Sequence, residues 1–353
     1  MDHGGDIYAA AKSIVVDWKE IIDFSASINP LGPSPLALTA LANSAEQLIH
    51  YPDPNCEALR EAIGEYHQIP KENILIGNGS AELIDLVGGF FQHQIALIPQ
   101  PTFSEYAKAV ERAGGKVVEA TIPTPPFRID LKSVLQEAEP FARGVFLCNP
   151  NNPTGQLFSK KEVSDFVAYA GARGVMVVLD EAFIDYHEEA SLVRDSARFQ
   201  NLIILRSFTK FFALPGLRVG YAAADPHTID RLRRNQVPWS VNALAQAAAI
   251  ESLRDEEYIQ KSRAWMEKER EWFYDRFLKI DRFHPIKPNA NFILVSVPES
   301  ISSTDLQKKL LRRKILVRDG ASFPGLRDRY IRLAVRTRAE NERLLTVLKR
   351  NFS

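Results

Sequence analysis

Short apolar runs alternate with amphipathic stretches from about residue 74 to residue 224. The runs are Ile74-Leu75-Ile76, Ile95-Ala96-Leu97-Ile98, Lys116-Val117-Val118, Val145-Phe146-Leu147-Cys148, Val175-Met176-Val177-Val178-Leu179, Leu202-Ile203-Ile204-Leu205 and Val219-Gly220-Tyr221-Ala222. Several are apolar at consecutive positions, as strands covered by helices on both faces must be. The intervening stretches suit helices. One opens at Ser159 with Glu162 three positions later, a capping box ahead of Val163, Phe166 and Val167. The pattern predicts an α/β fold with an open, mostly parallel seven-stranded sheet, whose ligands sit beyond the carboxyl ends of the strands.

After Pro238 the texture changes. Helix formers dominate from about residue 240 to 278, which predicts one long connecting helix. Then Phe292-Ile293-Leu294-Val295, Ile315-Leu316-Val317 and Tyr330-Ile331-Arg332-Leu333 alternate with helical runs, predicting a smaller α+β domain. The expected division is an N-terminal arm, residues 1–40, joining the small domain; a large domain, 41–245; and a small C-terminal domain, 246–353. A chain of 353 residues is long enough for two cores. Pro123-Thr124-Pro125-Pro126 predicts a loop within the large domain.

Lys plus Arg and Asp plus Glu both number 44, so the net charge is zero. That balance offers no attraction for nucleic acid or an anionic membrane, and any anionic ligand needs a local basic cluster. Two cysteines, Cys56 and Cys148, without a CxxC pair, argue against a disulfide framework or a metal site and fit a reducing cytoplasm. Met1 to Gly5 lacks the features of a signal peptide, and no apolar stretch approaches the ~20 residues of a membrane span. A soluble cytoplasmic protein is expected.

Four segments at strand ends carry candidate chemistry. Gly77-Asn78-Gly79-Ser80-Ala81-Glu82 leaves a strand and opens a helix, whose free amides suit a phosphate; a plain turn capped by Ser80 is the alternative. Cys148-Asn149-Pro150-Asn151-Asn152-Pro153-Thr154-Gly155 is a rigid turn, with or without a ligand. Asp180 of Asp180-Glu181-Ala182-Phe183 ends an apolar strand, where a carboxylate needs a cation or strong donor; capping the next segment is the alternative. Lys210 sits in Arg206-Ser207-Phe208-Thr209-Lys210-Phe211-Phe212-Ala213-Leu214-Pro215-Gly216-Leu217-Arg218, among bulky apolar groups that lower an amine's pKa and free it as a nucleophile. Amine, anion cup and buried carboxylate together match the needs of pyridoxal phosphate.

In this order, GNGxxE, NPNNPTG, DEAF, SFTK and PGLR resemble the fold-type I aminotransferase family, specifically its histidinol-phosphate aminotransferase branch, over nearly the whole chain. Within that branch His3-Gly4-Gly5, the run Asp23 to Gly32 (DFSASINPLG) and Pro238-Trp239-Ser240-Val241-Asn242 look more like the threonine-phosphate decarboxylases of cobalamin biosynthesis.

The resemblance implies pyridoxal 5'-phosphate as cofactor, a phosphorylated amino acid as substrate and a homodimer. It implies that Lys210 joins the cofactor covalently, Asp180 partners the pyridine nitrogen, Asn152 bonds the phenolic oxygen and Phe103 stacks on the ring. Ser80, Ala81, Ser207, Thr209 and Arg218 would hold the cofactor phosphate, with Tyr51 reaching it from the neighbouring subunit. His3, Asn29, Asn152, Arg318 and Arg332 would bind substrate, Arg332 as the carboxylate arginine. Arg336 and Arg338 are expected to face solvent. Most transaminases of the branch carry tyrosine where this chain has Phe183, so a donor to the phenolic oxygen is missing here. Decarboxylation of L-threonine O-3-phosphate is the expected activity, and histidinol-phosphate aminotransferase or a related transaminase is the alternative. A cofactor-sensing regulator would carry a DNA-binding domain ahead of this fold, and none is expected.

Overall fold

A computed structural model describes residues 3–122, 125–138 and 141–352. Pro123 and Thr124 of the predicted proline-rich loop lie outside them. A short strand β1 (Ile22–Asp23) precedes the main sheet, which contains β2 (Ile74–Gly77), β3 (Ile95–Gln100), β4 (Lys116–Thr121), β5 (Ala142–Cys148), β6 (Met176–Asp180), β7 (Leu202–Ser207) and β8 (Gly220–Ala224). Each of the seven predicted runs forms a strand of this sheet. Its order is β2-β8-β7-β6-β5-β3-β4.

Strands β3 to β7 run parallel, and β8 alone is antiparallel to its neighbours β7 and β2. Strands β5 to β8 are almost entirely buried, because helices cover both faces. On one face Ile204, Leu179 and Phe166 share a core; on the other, Leu205, Val178 and Phe146 do. The capping box at Ser159 forms: the Glu162 amide donates to Ser159 Oγ, and Glu162 Oε2 accepts from the Ser159 amide at 2.8 Å.

Two helices, Ala243–Arg254 and Glu256–Phe277, replace the single long helix predicted after Pro238. Asp255 leaves helical geometry (φ −85°, ψ 76°), and its side chain accepts from the Tyr258 amide to start the second helix. Residues Ala245, Leu253 and Ile259 pack in the large core, whereas Met266, Phe273 and Phe277 pack in a separate cluster. The large core therefore extends beyond residue 245, and the second helix bridges both.

The smaller unit holds β9 (His284–Pro285), β10 (Phe292–Ser296), β11 (Ile315–Leu316), β12 (Arg318–Asp319) and β13 (Tyr330–Ala334). An antiparallel sheet runs β12-β13-β10-β9, while β1 pairs in parallel with β11. Through that pairing, and through Phe24 in the cluster with Phe273, the N-terminal arm joins the small unit. The helix Pro35–Asn43 instead packs on Ala243–Arg254. Among the described residues no helix is long and apolar enough to cross a membrane, and no cluster of three or more His, Cys, Asp or Glu could hold a metal.

Candidate active site

The ends of β2, β5, β6 and β7 and the start of β8 meet at one edge of the sheet, where β12, β13 and the N-terminal segment close over them. They enclose a cavity of about 220 Å³. His3, Ser80, Ala81, Phe103, Asn152, Asp180, Ser207, Thr209, Lys210, Arg218, Arg318 and Arg332 all line it. Residues up to 329 positions apart in sequence thus share one chamber, at the place where an open α/β sheet binds ligands.

One end is built for an anion. The helix Gly79–Gly88 has no side-chain cap at Asn78, so its first amides lack an internal acceptor. Gly79 adopts φ +74°, and a Cβ there would collide with the guanidinium of Arg218, so glycine allows the arginine to approach. Arg218 itself takes a left-handed conformation (φ 57°) and donates to Thr209 Oγ1 at 3.4 Å and to the Pro215 carbonyl at 3.2 Å. The Thr209 amide donates to Ser207 Oγ at 3.2 Å.

Asp180 lies at the centre. Tyr106 Oη donates to Asp180 Oδ2 at 2.6 Å, and the Ala182 amide donates to Oδ1 at 2.9 Å. Burial pushes the Asp180 carboxyl above its usual range, and those two donors pull it part of the way back. Lys210 is partly exposed to the cavity, with Nζ 5.9 Å from the centre of the Phe183 ring. Burial, then the charges of Arg332 and Arg218, bring its amine down to about 8. About a tenth of the amine is therefore uncharged at pH 7, on the order of a hundredfold more than for an ordinary lysine, and this is the form a nucleophile requires. Phe183 packs edge-on against Phe292, with ring centres 5.0 Å apart.

Behind the carboxylate edge, Arg206 is 1% exposed and makes contacts with Glu181 Oε2 (3.1 Å), Asp185 Oδ1 (2.8 Å) and Glu188 Oε2 (2.8 Å). Glu181 also accepts from Ser191 Oγ and the Leu192 amide. Because Glu181 follows Asp180 and Arg206 precedes Ser207, this buried network ties β6 to β7 beside the cavity.

The opposite end is cationic. The Arg332 guanidinium donates to the Asn152 carboxamide oxygen and to the Ser25 carbonyl at 2.8 Å, leaving Nε without a protein partner. Burial and the neighbouring Arg318 push Arg332 below its usual value. Arginine resists deprotonation, so two adjacent guanidiniums call for a bound anion. Arg318 lies over the Phe323 ring at 5.0 Å. His3 Nε2 sits 3.0 Å from Glu105 Oε1, and the Gly5 amide donates to Ser25 Oγ, which places this segment across the mouth.

Two expected site residues lie outside the cavity. Asn29 is buried, but its amide nitrogen donates to the Phe211 carbonyl, Tyr258 Oη and Ser262 Oγ, and its oxygen accepts from the Leu31 amide. In this structure that side chain holds the backbone beside Lys210. Tyr51 is 81% exposed and stacks on Trp239, with ring centres 4.9 Å apart. Arg336 and Arg338 also stand apart from the cavity, but as ion pairs with Glu340 and Glu269 rather than as free solvent-facing groups. Both cysteines are buried, and burial pushes their thiols up, which keeps them in the protonated, less nucleophilic form. Sequence reasoning missed Tyr106 and Ser25. Tyr106 sits with Ala109 and Val110 on the apolar stripe of a helix and reads as core, and Ser25 acts through its carbonyl.

The family model for aminotransferase class I and II matches residues 19–348. A threonine-phosphate decarboxylase of Salmonella typhimurium is 35% identical over 98% of this chain and 95% of its own length. A histidinol-phosphate aminotransferase of Moorella thermoacetica is 36% identical over 94% of this chain and 85% of its own. The crystal structure of the histidinol-phosphate aminotransferase from Clostridium acetobutylicum superposes with a TM-score of 0.86 at 32% identity, covering 92% of this chain and 97% of the other. Pyridoxal 5'-phosphate is the cofactor of this family. The cavity fits it: uncapped amides and Arg218 for the phosphate, a buried carboxylate for the ring nitrogen and an amine lowered to about 8 for the aldehyde. The chain therefore belongs to the class I and II aminotransferases, as a pyridoxal-phosphate-dependent enzyme of the group that contains histidinol-phosphate aminotransferases and threonine-phosphate decarboxylases.

Proposed function

We propose that the enzyme decarboxylates L-threonine O-3-phosphate to (R)-1-aminopropan-2-yl phosphate and carbon dioxide, in the cytoplasm, for cobalamin biosynthesis. The observation that carries this reading is the N-terminal segment: His3 and Gly4 line the same cavity as Arg318, Arg332 and Lys210. A small substrate with both a carboxylate and a phosphate suits such a chamber, closed by a histidine and two arginines. Phe183 supports the reading, since it removes a hydroxyl that transaminases of the branch use. The Salmonella decarboxylase aligns along 98% of the chain.

When bound, pyridoxal phosphate supplies an electron sink for the pair left at Cα by a departing group. Asp180 would hold a proton at the ring nitrogen, and the resulting cation would compensate the burial of its carboxylate. Ser80 and Ala81 amides, Ser207, Thr209 and Arg218 would hold the cofactor phosphate, Phe103 would pack on its ring, and the Asn152 amide nitrogen would donate to its phenolic oxygen. Arg332 binds the substrate carboxylate; Arg318 and His3 bind its phosphate. These remote contacts orient the substrate and select which Cα bond breaks. Lys210 would hold the cofactor through its aldehyde, and its amine is the group placed to hold a proton and deliver it to the substrate Cα. In a homodimer Tyr51 reaches the phosphate of the partner's cofactor, consistent with its exposure outside its own cavity.

A transaminase would use the same cofactor residues, and a relative of that name is equally similar. The test incubates purified enzyme and pyridoxal phosphate with O-phosphothreonine and follows carbon dioxide. Release supports the proposal. No release, with amino transfer from glutamate to imidazole-acetol phosphate, establishes the transaminase instead.

A further inference from the structure

The carboxylate assigned to the ring nitrogen has a second partner on its protein side. Tyr106 is fully buried, lies parallel to Phe146 with ring centres 5.3 Å apart, and meets Phe103 edge-on at 5.6 Å. Its hydroxyl donates to Asp180 Oδ2 at 2.6 Å. A donor at this distance stabilises the charged carboxylate and fixes its orientation.

We infer that Tyr106 is a positioning residue that keeps Asp180 ionised and aimed at the cofactor, so that the shared proton stays on the ring nitrogen. The inference rests on the reading of Asp180 as the nitrogen's partner. Facing the same carboxylate are the Ala182 amide, the Cys148 thiol on β5 and the Lys210 amine beyond β7. Both cysteine and tyrosine are held protonated by burial, so over the working range only Asp180 and Lys210 change charge in this group. Of the side chains, only Tyr106 donates a hydrogen bond to Asp180 among the described residues. Phe183 leaves the phenolic end of the cofactor site without a hydroxyl, so tuning falls more heavily on the nitrogen end.

Removing the hydroxyl leaves burial less opposed, so Asp180 takes up a proton at higher pH. Below that pH it is neutral and cannot pair with a protonated ring. The expected result for Tyr106→Phe, which keeps the ring and its packing, is specific. Pyridoxal phosphate binding to the apoenzyme, read by absorbance, weakens roughly tenfold at acidic pH, the scale of one hydrogen bond to a charge. The loss fades as pH rises, so the acid-side midpoint of binding moves upward relative to wild type. An unchanged midpoint, or a loss equal at every pH, overturns the inference, because packing alone gives no proton dependence. Asp180→Asn separates the two ideas. If it weakens binding while Tyr106→Phe does not, the role of Asp180 stands and that of Tyr106 falls. If neither variant matters, the assignment of Asp180 fails with it.

Discussion

The guanidinium of Arg332 donates to the carboxamide oxygen of Asn152, joining β13 of the small unit to the turn after β5 of the large one. Its second nitrogen reaches the Ser25 carbonyl of the N-terminal arm, so one side chain gathers three segments around the cavity. Arg332→Lys keeps the charge but loses the planar fork. Substrate kcat/KM is expected to fall by about ten- to a hundredfold, as for lost hydrogen bonds to a charged group. Steady-state kinetics with O-phosphothreonine would contradict this if the lysine enzyme ran at wild-type efficiency.

Lys210→Ala removes the only side-chain amine that lines the cavity among the described residues. Turnover should drop by at least about 10³-fold, with pyridoxal phosphate binding as the free aldehyde, visible in its absorbance spectrum. Turnover within tenfold of wild type would remove Lys210 from the chemistry.

The Lys210 amine is brought down to about 8, and the uncharged form is the one that attacks. Its folded pKa lies below the usual lysine value of about 10.4, so the reactive fraction grows as pH rises through about 8, not through about 10. Cofactor uptake by the apoenzyme, followed by stopped-flow absorbance, should accelerate with a midpoint near the lower value. A midpoint near the ordinary lysine value would show that the cavity does not perturb the amine.

Arg206 is the shared counter-charge for Glu181, Asp185 and Glu188. Arg206→Met leaves those carboxylates facing each other in the interior, at a cost of about 3–5 kcal/mol in urea unfolding. Arg206 and His67 hold Glu188 low against the effect of burial, whereas burial holds Glu181 and Asp185 high. The cost should therefore shrink on acidification, as protonated carboxyls need no counter-charge. A loss below about 1 kcal/mol at neutral pH would show the network to be dispensable.

Tyr51 and Lys210 serve different sites if Tyr51 acts across a dimer. Mixed dimers of Tyr51→Ala and Lys210→Ala subunits should recover one intact site, with activity above either parent. Activity no higher than the parents', or a monomer by gel filtration, would end the cross-subunit assignment.

Six strands of the main sheet were legible because each is a short apolar run buried on both faces, whereas β4, at the exposed edge, showed only through Val117 and Val118. Turns at the strand ends were legible for a related reason: glycine, proline, asparagine and an aspartate after an apolar run mark points where the backbone must bend or meet a ligand. The break at Asp255 was not, since helix propensity runs through it and only the cap to Tyr258 decides it.

Asn29 and Tyr106 mark the boundary between the two kinds of knowledge. Asn29 stands in a run that suggests a ligand contact, yet the fold spends its carboxamide on Phe211, Tyr258 and Ser262. Tyr106 reads as an ordinary core aromatic, yet folding carries its hydroxyl to Asp180, 74 positions away. Residue type and local spacing set the strands, the turns and the cofactor class, because those depend on neighbours along the chain. Which polar atoms are left over for a ligand depends on every hydrogen bond made across the fold, and only the packed tertiary structure decides that.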